Sequence, residues 1–70
     1  MTERTYVVAS GDQSFVAFED CEDLVYGLIE NRTGIKRPEA TAMLSTGTIL
    51  TGFDFVVYRK DLVDAMRRTP

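Results

Sequence analysis

Apolar positions along the chain fall into short runs, each with a period that points to an element. Arg4–Ser10 and Gln13–Phe18 are rich in β-branched and aromatic residues and read as strands. Gly11-Asp12 between them is a turn pair, because Gly accepts positive φ and Asp bonds locally, so the two strands are expected to form an antiparallel hairpin. Leu24, Val25, Leu28 and Ile29 then recur at helical spacing, with Cys21 just before them. Asp20 is the expected N-cap, with Asp23 near the first-turn N–H groups, and Gly34 is the expected left-handed stop. Pro38 suits the first turn of a second helix over residues 38–45, with Ala40, Met43 and Leu44 inward. Gly47 and Gly52 bracket residues 48–51, a loop or short extended piece. Phe53–Arg59 reads as a third strand with Phe53, Phe55 and Val57 on one face. Asp61 is the expected cap of a last helix that turns Leu62, Val63 and Met66 inward.

The order is ββααβα, which predicts an α+β domain: a small three-stranded antiparallel sheet with helices packed on one face. Residues 1–70 form a single domain in this reading. A chain of 70 residues buries only about 60% of the surface its unfolded form exposes, so stability is expected to be modest. The hydrophobic content of 44%, with four Phe and three Tyr, supplies one core.

Composition narrows the chemistry. There is no His, and Cys21 is the only cysteine, so neither a Cys/His zinc site nor a Ser–His or Cys–His nucleophile pair can be assembled within the chain. No cofactor, metal or catalytic residue is expected. The lone cysteine predicts a reducing compartment, and no apolar run approaches the roughly 20 residues a membrane helix needs, so a cytoplasmic protein is expected.

The net charge of −3 conceals a split. Residues 1–30 carry one basic residue, Arg4, against Glu3, Asp12, Glu19, Asp20, Glu22, Asp23 and Glu30. The basic residues that follow are Arg32, Lys36, Arg37, Arg59, Lys60, Arg67 and Arg68, against four acids. Such a chain can present an acidic face and a basic face at once.

Two binding surfaces follow. Residues 21–45 can be read as helix–turn–helix, whose second helix would present outward residues to a duplex groove. Arg32, Lys36 and Arg37 are then the phosphate contacts, with Thr41 and Ser45 on the reading face. A plain αα-hairpin that completes the core explains the same pattern. The second surface is acidic: Glu19, Asp20, Glu22 and Asp23, with Tyr26 beside them as an aromatic anchor or a core-edge residue. Such a patch could occupy a basic groove on another protein. It also serves the helix macrodipole, which explains consecutive acids at a helix start without any ligand. Cys21 is expected to be a buried or half-buried residue whose acidic neighbours raise its pKa.

Phe18-Glu19-Asp20, Gly34-Ile35, Gly47 and Gly52-Phe53-Asp54-Phe55 carry a resemblance. Over residues 6–60 the layout is similar to the small modular domains attached to homing endonucleases and found alone in phage genomes. The resemblance implies DNA contact through the second helix and its flanks. The chain departs from that pattern in having few basic or amide side chains on the second helix. Two functions are therefore expected at nearly equal weight. One is a phage or mobile-element accessory module that contacts nucleic acid. The other is an acidic protein-binding module, such as an inhibitor, anti-defence factor or DNA mimic. Opposed charge faces also allow a homo-oligomer.

Overall fold

The computed structural model describes residues 3–68. Residues 1–2 and 69–70 of the expected domain, and the Arg68 side chain, lie outside the described residues. The fold is α+β, with strands β1 (Thr5–Ser10) and β2 (Gln13–Phe18), helices α1 (Glu22–Thr33) and α2 (Arg37–Leu44), strands β3 (Leu50–Gly52) and β4 (Phe55–Arg59), and helix α3 (Lys60–Arg68). The sheet is antiparallel in the order β2-β1-β4-β3.

Four strands thus replace the three expected. Leu50–Gly52 pairs with Phe55–Val57 and becomes a strand of its own. Phe53 is correspondingly not a strand residue. It sits at the tip of the two-residue β3–β4 turn, 98% exposed, beside Asp54 at φ 58°, a left-handed conformation that Asp tolerates better than most residues. The β1–β2 hairpin forms as expected, with Ser10 paired to Gln13 across Gly11-Asp12. Gly11 takes φ 65° while Asp12 keeps negative φ, the pattern of a type II′ turn. The Gly11 N–H donates to the Asp54 carbonyl at 3.1 Å, which ties the two hairpin turns together at one end of the sheet.

Register decides the two faces. Tyr6, Val8, Ala17, Phe55, Val57 and Leu50 share one face and are buried against Val25, Tyr26 and Ile29 of α1 and Ala40 and Leu44 of α2. Leu28, Ile35 and Met43 close the margin of this core. On the second face Val7, Val56 and Tyr58 are half-buried, while Val16 and Phe18 are exposed. Helix α3 lies against β1 and β4, but it contributes nothing to the core among the described residues. Leu62 and Val63 are only half-buried and Met66 is exposed, contrary to the expected inward set.

Helix ends show where local signals held. Gly34 stops α1 at φ 79°, its N–H donating to the Glu30 carbonyl at 2.9 Å. Pro38 lies in the first turn of α2, whose end falls one residue earlier than expected, with Ser45 as its cap. Asp20 does not cap α1. A single 3-10 turn, Glu19–Cys21, intervenes, Cys21 becomes the cap without a side-chain bond, and its thiol is exposed rather than buried. Leu24 is also exposed, because Tyr26 takes the inward position beside Val25. No helix among the described residues is long and apolar enough to cross a membrane.

Candidate functional site

Two features of the surface stand apart: a charged cleft at one end of the sheet and an open strand at its side. The cleft has a volume of about 390 Å³ and is lined by Arg4, Tyr6, Glu22, Tyr26, Arg37, Thr41 and Arg59. Its floor follows from strand pairing, which sets Arg59 directly opposite Tyr6. Tyr6 meets Tyr26 edge to face, with centroids 5.9 Å apart, in the geometry favoured by aromatic pairs. Arg37 lies over the Tyr26 ring at 4.8 Å and Arg59 over the Tyr6 ring at 5.7 Å, so two cations are seated on two aromatic faces.

Glu22 is the hub. It accepts from Arg4 Nε at 3.1 Å and Nη2 at 3.2 Å and from the Tyr6 hydroxyl at 2.9 Å, with Arg37 3.8 Å away. These bonds, led by Arg4, hold its carboxyl below the usual range despite partial burial. Tyr6 moves the other way: burial first, then bonding to Tyr26 and Glu22, pushes its phenol well above the ordinary value. Arg59 forms a two-pronged pair with Asp61, 2.9 Å from Nε and 2.6 Å from Nη2, and Asp61 also accepts from the Thr5 N–H at 3.3 Å. That pair leaves only 12% and 9% of the two side chains exposed. The two shifts share their cause: the same bonds that favour the Glu22 carboxylate, together with burial, favour the neutral Tyr6 phenol.

The nucleic-acid candidates separate. Arg37 and Thr41 join Arg4 and Arg59 at the cleft. Arg32 instead lies beside the Phe55 ring at 5.9 Å, Lys36 pairs with Glu30 at 2.9 Å, and the Ser45 hydroxyl donates to the Ala42 carbonyl at 2.8 Å. Arg37 is further held by Asp23. Two of the three expected phosphate contacts therefore already face carboxylates, and of the three Arg32 alone has no ion pair among the described residues.

The acidic candidates separate too. Glu19 pairs with Arg4 at 2.8 Å, and Glu22 is turned into the cleft. Asp23 is exposed beside Arg37. Asp20 is exposed with no ion pair among the described residues, and its charge raises the Cys21 thiol pKa, as expected. Tyr26, offered as an aromatic anchor or a core-edge residue, is 5% exposed and belongs to the core. Its ring meets Tyr6 edge to face and lies under Arg37, so what it shows is confined to the wall of the cleft. The described acids form no group that could hold a metal ion.

The open strand is β2, at one edge of the sheet. Its sequence, Gln-Ser-Phe-Val-Ala-Phe, carries no charge and no proline. Phe15 and Val16 are each 46% exposed and Phe18 is 50% exposed. The two-residue turn makes Ser10 and Gln13 a mutually bonded pair. Alternation then directs the backbone groups of Gln13, Phe15 and Ala17 to β1, and those of Ser14, Val16 and Phe18 to the open side. The opposite edge, β3, has three residues and ends in Gly52. Sequence reading missed this asymmetry, although the uncharged run 13–18 was its signal.

A scan of protein-family models and searches among curated proteins and solved structures return no significant match to this chain.

Proposed function

We propose that this chain is a non-catalytic protein-binding module that captures an extended segment of its partner along β2. The observation that carries this reading is the edge itself, six residues long, uncharged, and exposing Phe15, Val16 and Phe18. Long apolar edges are normally blunted by charge, proline, bulges or short length, because unpaired N–H and C=O groups recruit further strands. The β3 edge is short in that way, whereas β2 has none of these defences. Strand addition supplies affinity through main-chain bonds and selectivity through alternate side chains. Against a duplex stands the pairing of Lys36 and Arg37 with Glu30 and Asp23, since phosphate would have to displace those carboxylates.

The test uses a random peptide display library and two proteins, the wild type and Val16→Pro. The substitution removes an outward N–H without touching the bonds to β1. Peptides retained by the wild type are expected to be lost by the variant, while its circular dichroism is unchanged. Equal retention by both proteins would refute the reading. So would a low-salt mobility shift of a duplex that Arg32→Ala and Lys36→Ala abolish, which would transfer the function to the helix pair.

A further inference from the structure

The charges that flank β2 go further and specify what can dock there. Resting on the edge-strand reading, we infer that the partner segment is a short apolar strand with lysine or arginine beyond each end, and not a second copy of this chain.

Both ends of β2 are acidic while its middle is neutral. At the turn end stand Asp12, next to the strand, and Asp54, whose turn is bonded to Gly11. At the other end Glu19 and Asp20 follow Phe18 directly. Asp12, Asp20 and Asp54 are exposed and make no ion pair among the described residues; Glu19 alone is met, by Arg4.

A second copy fails on register. Only residues whose backbone groups point outward can pair, and those are Ser14, Val16 and Phe18. The antiparallel self-pairing that uses all three is centred on Val16 opposite Val16. It brings the Asp12 end of each strand against the Glu19–Asp20 end of the other, twice over. Like charges facing across strands are destabilising, whereas opposite charges there are favourable. Basic residues beyond both ends of an incoming strand would meet the acids that self-pairing cannot satisfy. Its central side chains on the second face of the sheet would lie beside Val16 and Phe18, which selects β-branched or aromatic residues.

The probe is a pair of acetylated peptides of about nine residues. Both have the same alternating valine–threonine centre, one with two lysines at each end and the other with two glutamates. Anisotropy titration against the full chain is expected to show the lysine peptide binding about tenfold tighter or more, since several cross-strand charge pairs each shift affinity a few-fold. The preference should shrink in about 1 M salt, where exposed charges are screened. Asp12→Lys combined with Asp20→Lys should remove it, because each end then sets one lysine against the acid that remains, Asp54 or Glu19. Val16→Pro should abolish binding of both peptides, and N-methylation of alternate peptide amides should do the same without altering the protein. Equal binding of the two peptides, still lost in Val16→Pro, overturns the charge inference and leaves the edge reading intact. Binding that survives both Val16→Pro and N-methylation, or no binding by either peptide, overturns both. Concentration-dependent dimerisation that Val16→Pro abolishes overturns the inference in favour of a second copy.

Discussion

Asp61→Ala offers the sharpest test of how this small domain is held together. Asp61 accepts two guanidinium bonds from Arg59 and one from the Thr5 N–H, and so joins the start of α3 to both central strands. Truncation leaves the Arg59 guanidinium, whose side chain is 12% exposed, with its fork unmatched beside the Tyr6 ring. Breaking a fully buried pair costs about 3–5 kcal/mol, and this pair keeps some contact with water, so about 2–3 kcal/mol is expected. A domain of this size has roughly 4–10 kcal/mol in total. The melting temperature should therefore fall by roughly 10–20 °C. Urea unfolding followed by circular dichroism measures the loss, with an unchanged m-value showing that the native state is otherwise kept. The control is Lys36→Ala, which removes an ion pair exposed at both partners and should cost no more than about 0.5 kcal/mol. If both variants lose the same amount, burial is not what gives the Arg59–Asp61 pair its weight, and the reasoning fails.

Three further outcomes are expected. Ile29→Ala empties a fully buried position between α1 and the sheet and should cost about 3–4 kcal/mol in the same urea assay. Gly27→Ala should stabilise by about 0.5–1 kcal/mol, because a methyl there meets open space within a helix, whereas Gly34→Ala should destabilise by about 1 kcal/mol through its left-handed φ of 79°. The folded-state pKa values of Asp61 and Glu22 are both depressed, chiefly by bonds from Arg59 and Arg4. Their contribution is fully present above the ordinary carboxyl range near about pH 4 and is lost as pH falls through the lowered values. Stability below that pH should accordingly fall less steeply in Asp61→Asn than in the wild type.

Elements governed by neighbours in the chain were legible in the sequence. Gly11-Asp12 specified a hairpin turn, Gly34 a helix stop and Pro38 a helix start, because each acts through its own backbone torsions. Positions that depend on partners far along the chain were not. Tyr26 reads as off the apolar stripe of α1, yet Tyr6 and Arg37 enclose it. Asp61 reads as a helix cap, yet it serves Arg59 and Thr5. Residues 50–52 are too short to announce a strand and become one only because β4 lies alongside.

The sequence by itself determined the α+β class, the hairpin and the helix pair, since these rest on hydrophobic period and local torsions. Only the tertiary structure decided which charges are already spent. Lys36 and Arg37 face carboxylates, and Glu22 is turned into a cleft among Arg4, Arg37 and Arg59. It also left β2 as the long open edge, because β4 pairs with β1 on its other side and the sheet ends there. Pairing order is set by contacts between distant segments, and no local period records it.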